Sequence, residues 1–406
     1  MSEPHSPPAD ADSPPWGWAF GGFFCLMAAY YIVRPVRDAI AAGYNDRTDL
    51  FFGAFVAMLL VVPVVGWLGN RMPRDRLLAR MYQAATGMFV LFAVLTSTTT
   101  GDWIGKAFFV WISVFSYASV ALFWSLQADL FRPAEAERLF SRIAAGGSCG
   151  ALVGPSLTAI LVRRIGAPWL LMLAAAFLLF SAACLRVLCR SRARVSEQAV
   201  AKPAPPAAGL WNGFALTIQS PTLRLISGVI ILLSSTAMFL YLEQSDLAKL
   251  RFSDRTERVE FFARADLFVS GLSLFGQFLF TPWLVRRYGL TAALVVLPLG
   301  SIFGFATLAA VPGFWPTVII LGLRRAGEYA VAKPARDVLF AGLSHDEKYQ
   351  AKTFIDTALA RGTEFSTAAL IGMIHAGHYL TSQQLSGCYV LASAATLALV
   401  LRLKRG

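Results

Sequence analysis

Long apolar blocks follow one another along nearly the whole chain, separated by short polar stretches. "GGFFCLMAAYYIV", "GAFVAMLLVVPVVGWLG" and "GVIILLSSTAMFLYL" are three of them. A helix that crosses a bilayer needs roughly 20 predominantly apolar residues. Twelve such segments can be placed, at 16–38, 50–70, 81–99, 104–131, 139–162, 167–189, 222–246, 261–284, 290–311, 315–341, 350–376 and 383–403. They are numbered helices 1 to 12 below. The short alternating strands of a transmembrane β-barrel are absent. The pattern therefore predicts an all-α polytopic membrane protein with twelve transmembrane helices.

Composition agrees with that reading. The chain has 406 residues, 56% of them hydrophobic and only 15% charged, where a soluble protein carries about a quarter. A formal charge of +12 would suggest nucleic acid in a soluble protein. Here much of it lies in alternate loops: Arg71, Arg74, Arg76 and Arg80; Arg132 and Arg138; Arg190, Arg192 and Arg194; Arg286 and Arg287; Arg402, Lys404 and Arg405. Basic loops face the cytoplasm, which places both termini there and excludes nucleic acid as the partner. The loop 249–258, "KLRFSDRTER", is charged and falls on the other side, against the trend. The five cysteines, Cys25, Cys149, Cys184, Cys189 and Cys388, have neither disulfide-framework nor zinc-ligand spacing and are read as small core-filling residues.

The chain divides into two halves. Residues 1–15 are proline-rich and acidic, and are read as a disordered tail. Residues 16–189 and 222–406 are expected to form two six-helix bundles, joined by a basic, then Ala/Pro-rich linker at 190–221. A weak repeat supports this: "QADLFRPAEAERLF" is similar to "ARDVLFAGLSHDEKYQAKTF", and "GWLGNR" to "PWLVRR", each pair about 210 residues apart. Parallel six-helix repeats with a site between them describe the major facilitator architecture. "GWLGNRMPRDR" (66–76) also resembles the loop motif between helices 2 and 3 of that superfamily, with Asn70 where the pattern has Asp. "GGSCGALVGPSL" partly resembles the antiporter motif of helix 5. Its Gly146, Gly150 and Gly154 also suit plain close packing at small-xxx-small spacing.

Charges inside a bilayer are expensive and mark functional sites. In helix 1, Tyr30, Arg34, Arg37 and Asp38 share one face beside Pro35, where a kink is expected. Taken alone, the two arginines could snorkel to the interface. Other charges stand with them: Asp129 in helix 4; Glu243 and Asp246 in helix 7; Arg324, Arg325, Glu328, Lys333, Arg336 and Asp337 in helix 10. Helix 11 pairs Lys352 with Asp356 at i, i+4 and Arg361 with Glu364 at i, i+3. The basic surplus favours a polyvalent anion, because Arg holds phosphate or carboxylate oxygens bidentately and Lys adds a point charge. Tyr30, Tyr31, Trp124 and Tyr329 could stack on a base or belong to the core.

These stretches ("YYIVRPVRDAI", "FWSLQADLFRPAEAERLF" and "LRRAGEYAVAKPARDVLF") resemble the bacterial major-facilitator branch of the ATP/ADP translocase family. The resemblance implies nucleotide exchange, with a basic residue in helix 1 falling on Arg37 and acids falling on Asp129 and on Glu243 (Asp246 competing). A basic residue in helix 11 falls on Lys352. Arg37 stands where the exchangers have Lys, and Asp129 where they have Glu.

The reading is a secondary transporter of an anionic metabolite, with ATP and ADP as candidates, alternating access through a charged cavity. Arg34, Arg37, Asp129, Glu243, Glu328, Arg336, Lys352 and Asp356 would meet substrate. Asp38, Asp246, Arg325, Lys333, Asp337, Arg361 and Glu364 would form gating ion pairs. No cofactor or metal is called for, and a monomer in a bacterial inner membrane is favoured. The alternatives are a proton-coupled carrier of another organic anion, with Asp129 or Glu243 as proton site, and a non-transporting receptor or scaffold. Enzyme chemistry is not indicated. His375 and His378 in "HAGH" lack a partnering acid or Cys, and no phosphate-cradling glycine loop is present.

Overall fold

A computed structural model describes residues 16–45, 47–98, 101–198, 210–341 and 350–403. The stretch 1–15 and residues 199–209 of the linker lie outside the described residues. Everything described is helical or turn. The spans run as helix 1 (Trp16–Gly43), helix 2 (Thr48–Arg71), helix 3 (Arg74–Thr98) and helix 4 (Asp102–Leu130). The long stretch Pro133–Gln198 is two spans, helices 5 and 6, separated at Gly166, whose φ of 76° lies in the left-handed region that favours glycine. Helix 7 is Pro221–Arg251. Helices 8 and 9 occupy 255–288 and 290–310 and turn at Gly289, φ 79°. Helices 10 (314–341), 11 (350–376) and 12 (Ser382–Leu403) complete the twelve.

Eight helical stretches among the described residues are long and apolar enough to cross a membrane, and two of these, Ala134–Arg192 and Arg255–Ala310, each hold two spans. Helices 10 and 11 fall below that mark because of the charges they carry. They must be shielded by their neighbours rather than face lipid. With twelve antiparallel crossings, Trp16 and Leu403 lie on one side, called the termini side; the other is the far side.

Helices 1 and 3–6 pack around one core that includes Leu26, Ile32, Phe89, Phe108 and Phe123 and takes in Ala248, Val259 and Phe262, while Leu50, Phe51 and Ala54 of helix 2 pack with residues of the second half such as Phe239 and Ile371. Helix 1 meets helix 5 at backbone distance. A Cβ on Gly146, Gly150 or Gly154 would come within 2.5, 2.3 and 2.8 Å of the carbonyl oxygens of Phe20, Phe24 and Ala28. The glycine spacing is thus occupied by helix packing. The second half packs in smaller clusters, one of which joins Leu223, Ile226 and Ile230 to Phe340, Ala351 and Ile355.

Three details differ from the sequence reading. Helix 6 continues past residue 189 because Arg192 is anchored to the Leu130 carbonyl at 3.1 Å and to the Glu135 carboxylate. Within the stretch read as linker, Leu210–Gln219 forms a short helix whose Gly213 abuts Gln350 and Phe354 of helix 11. Among the cysteines, Cys149 and Cys388 are exposed on the helix surface and the others are partly buried, so core filling describes three of the five at most.

Candidate functional site

Helix 1 runs unbroken through Pro35. Near this point Thr158 of helix 5 donates a hydrogen bond to the Ile32 carbonyl at 3.0 Å. A proline leaves the carbonyls of the preceding turn short of amide donors, and a hydroxyl from the adjacent helix compensates. That turn carries the charges. Arg37 donates to Asp38 through Nε at 2.9 Å and Nη2 at 2.7 Å. Tyr241 of helix 7 donates to the same carboxylate at 3.3 Å. Arg34 stands 3.8 Å from Asp38 and 3.6 Å from Asp266 of helix 8. Arg325 of helix 10 completes the chain by donating to Asp266 at 2.7 Å.

Three guanidinium groups and two carboxylates thus form one network that joins helix 1 of the first bundle to helices 7, 8 and 10 of the second. Asp38 and Asp266 are buried, and the three arginines show side-chain exposures of only 12–16%. Burial of this kind strengthens each pair and makes an unpaired member costly. Arg34 also lies over the Tyr31 ring and Arg37 over Phe109, while Tyr30 packs edge-on against Tyr31. Trp124, by contrast, is packed among Phe23, Phe123 and Phe140 as a core ring.

Helix 10 reaches this network through an irregular turn. Residues Glu328–Ala332 form a π-helical turn directly before Lys333-Pro334. Pro334 has no amide to give the Ala330 carbonyl, and Thr281 of helix 8 donates to that oxygen at 2.8 Å instead. Gln277 Nε2 donates to the neighbouring Tyr329 carbonyl at 3.3 Å. Helix 8 has its own π turn here, Gly276–Phe280, and a Cβ on Gly276 would come 2.7 Å from that of Ala330. Two π turns therefore meet, a local geometry frequent at functional sites.

Below the π turn, towards the termini side, Arg336 donates to Glu328 at 3.1 Å. Lys352 of helix 11 donates to Asp337 at 2.8 Å rather than to Asp356, which had the i, i+4 relation in sequence. Ile355–Leu359 is a third π turn, and its wider winding rotates positions out of the α register. Asp356 instead lies within electrostatic reach of Arg336, Lys352 and Lys333. Arg361 pairs with Glu364 at 2.7 Å, on the i, i+3 spacing read from the sequence.

The remaining carboxylates stand apart. Asp129 lies exposed at the termini end of helix 4, held by Arg74 from the segment after helix 2. Glu243 is partly buried towards the far end of helix 7, facing Ser382 and His375 rather than helix 1. Asp246 accepts from Arg47 at 2.5 Å, and Arg47 also donates to the Ala41 carbonyl at 3.0 Å. The contacts that join the bundles cluster on this far side: Arg47 to Asp246, Lys249 to Asn45, Arg163 to Glu260, and the rings of Phe52 and Phe55 against Phe365. On the termini side a cavity of about 320 Å³ lies between helices 2 and 4 and Thr353 of helix 11, with Arg74, Tyr117 and Ser125 on its wall. The charged loop 249–258 is absorbed in the far-side closure, where Arg251 covers the Phe314 ring and Asp254 caps helix 8.

Sequence reasoning missed Asp266, Arg47, Arg163 and Glu260. Asp266 carried a usable signal, an acid beside Arg264 within an apolar span; the others sit near helix ends, where charge is unremarked.

The sequence matches the family described as "Major Facilitator Superfamily" over residues 19–330. The chain belongs to that superfamily. No curated protein matches it. Among solved structures, the nucleoside transporter NupG (a single-site mutant) superposes with a TM-score of 0.70 at 12% identity, covering 96% of this chain and 99% of that one. The POT-family transporter PepTSo superposes with a TM-score of 0.67 at 11% identity, covering 97% and 98%. At such identities the likeness is one of fold. The protein is thus a major facilitator membrane transporter and not an enzyme.

Proposed function

We propose that this transporter carries an anionic metabolite by alternating access, and that its specific activity is nucleotide exchange of the ATP/ADP type. The observation that carries the reading is a buried arginine network between the bundles with one more cation than carboxylate, continued below by a more exposed and evenly paired charged group. Among the described residues, the carboxylates that Arg34, Arg37 and Arg325 pair with are Asp38 and Asp266. Below them Lys333, Arg336 and Lys352 surround Asp356, Glu328 and Asp337. A phosphate chain would use both groups: forked contacts from the arginines and point charges from the lysines. Glu243 and Asp129 then act at the two ends of the path, and Asp246 with Arg47 closes the far side. The bilayer is a bacterial inner membrane with both termini in the cytoplasm, since the basic loops lie on the termini side. The two bundles, 16–189 and 222–406, rock about the charged interface, and the carrier acts as a monomer.

The test is uptake of labelled ATP and ADP by purified protein in liposomes, preloaded with unlabelled nucleotide or empty. Uptake that needs preloaded nucleotide and disappears in Arg37→Ala and Lys352→Ala is the expected result. Unimpaired uptake by both variants, or no nucleotide flux through folded wild-type protein, refutes it.

A second reading has one observation in its favour. Glu243 is a partly buried carboxylate beside Ser382 and His375, placed where a proton could be exchanged with the far side. A proton-coupled carrier of another organic anion would be driven by an imposed pH gradient without internal counter-substrate, and Glu243→Gln would uncouple it. A receptor or scaffold would bind nucleotide and show no flux.

A further inference from the structure

Asp266 sits between guanidinium groups from opposite halves of the protein, and its two oxygens are treated unequally. Oδ1 accepts from Arg325 Nη2 at 2.7 Å, within the second bundle. Oδ2 faces Arg34 Nε of the first bundle at 3.6 Å, too far for a hydrogen bond. Asp266 Oδ2 and Arg34 Nε are both buried without a hydrogen-bond partner. Arg34 has no better acid to turn to. Asp38 is 3.8 Å away and already accepts from Arg37 and Tyr241. The least satisfied cation of the network thus faces the least satisfied carboxylate oxygen, across the interface where the bundles must separate.

An oxyanion fits this gap better than the carboxylate that fills it. Asp266 is fixed to helix 8 and can satisfy one arginine fully. A phosphate or a free carboxylate could present separate oxygens to both forks, and charge-assisted forked contacts are the strong ones. We propose that Asp266 is a built-in counter-anion that holds the place of the substrate's anionic group in the empty carrier. Arg34 and Arg325, one from each bundle, are the clamp that passes from Asp266 to the substrate. Arg325 is then a binding residue and not a gate. Asp266 is a positioning residue that sets how firmly the empty clamp holds. This inference rests on the reading that the substrate is an anion, but not on its being a nucleotide.

Neutralising Asp266 leaves the buried Arg325 without that carboxylate and Arg34 with Asp38 at 3.8 Å, already engaged by Arg37, so an added anion gains what Asp266 supplied. Asp266→Asn should bind inorganic phosphate more tightly than wild type, by about 5-fold or more on the usual scale of coupling between sites. The empty carrier should also close less firmly on the far side. Spin labels at Trp103→Cys and Val311→Cys, both exposed at far-side helix ends, read that distance in a background without the native cysteines. For Asp266→Asn the distance distribution should broaden in anion-free buffer and narrow on adding phosphate. Asp266→Glu guards against a folding failure of the Asn variant. Its longer side chain reaches Arg34, so it should bind phosphate more weakly than wild type. In Asp266→Asn combined with Arg325→Gln the gain in phosphate affinity should vanish.

Unchanged phosphate affinity in Asp266→Asn, or in Asp266→Glu if only that variant folds, overturns the proposal. So does a gain that persists in the double variant. If Asp266→Asn responds to phosphate as expected while neither ATP nor ADP binds or moves, the counter-anion stands and the nucleotide reading falls.

Discussion

Replacing Gly150 with alanine tests the tightest backbone contact between helices 1 and 5. The new Cβ would lie 2.3 Å from the Phe24 carbonyl oxygen, 2.9 Å from the Ala28 nitrogen and 3.0 Å from Met27 Cβ. Two of those three atoms are backbone, so no rotamer change relieves the overlap and helices 1 and 5 must part. Overpacking of this kind costs about 1–3 kcal/mol, and the absence of a side-chain escape favours the upper end. Alanine returns at most about 1 kcal/mol in helix propensity. A net loss of about 2 kcal/mol is expected. Gly271 of helix 8 is the control, because a Cβ there meets nothing within 4 Å and only the propensity gain remains. Thermal unfolding of the purified protein should place Gly150→Ala several degrees below wild type and Gly271→Ala level with it or above. Gly154→Ala should lower nucleotide uptake as well as stability, because its Cβ would press on Tyr31, one turn before Arg34, at 2.8 Å. A Gly150→Ala protein that melts at or above wild type would show that the backbones of helices 1 and 5 are not in contact there.

The other perturbations address the gate and the helix crossing. Asp246→Ala takes the paired carboxylate from the buried Arg47, leaving the Ala41 carbonyl as its acceptor and Glu243 within electrostatic reach; a membrane-impermeant maleimide should then reach a cysteine at Ala54 faster from the far side, and Arg47→Asp combined with Asp246→Arg should restore part of the protection, a coupling of about 0.5–3 kcal/mol. Thr281→Val removes the donor to the Ala330 carbonyl beside Pro334, and a buried acceptor left without partner should lower stability by about 1–3 kcal/mol in thermal unfolding. Lys352→Gln should abolish nucleotide uptake, while Asp337→Asn, which removes only the exposed partner of that lysine, should retain most of it; equal losses in the two variants would make the pair structural.

The architecture was legible because apolar blocks of the right length specify crossings one at a time, and even helices 10 and 11 could be placed despite their charges. Gly146, Gly150 and Gly154 likewise carried their packing role in their spacing. What a sequence does not carry is which face of one helix meets which face of another. Asp129 and Glu243 could be placed along their helices, yet the first ends beside Arg74 at the termini side and the second beside Ser382 and His375. Tyr241, two residues before Glu243, is the one that reaches Asp38. Asp266 stands in "FFARADLFVSG", two residues after Arg264 and inside an otherwise apolar span. Its significance appears only when helix 8 is seen against helix 1. The Lys352–Asp356 pairing failed for a local reason, since α spacing does not hold through a π turn.

The nucleotide exchange proposed above would have an electrical consequence. The arginines and lysines of the site are carried on helices that rock rather than cross the membrane, so they contribute little to net charge movement. What crosses is the substrate. ATP carries one more negative charge than ADP, so ATP moving one way against ADP moving the other transfers one net charge per cycle unless a proton accompanies it. A charge crossing the membrane potential is worth about 2.3 kcal/mol per 100 mV, or about a 50-fold shift in the equilibrium ratio at 1.4 kcal/mol per tenfold. In liposomes clamped with a potassium gradient, ATP/ADP exchange should therefore respond to the imposed potential, while ADP/ADP exchange should not. Insensitivity of both would mean that a proton travels with the extra phosphate charge, and a carboxylate such as Glu243 or Asp356 would have to carry it. Substituting Glu243→Gln and Asp356→Asn in turn would identify which, because the variant lacking the proton site should regain sensitivity to the potential.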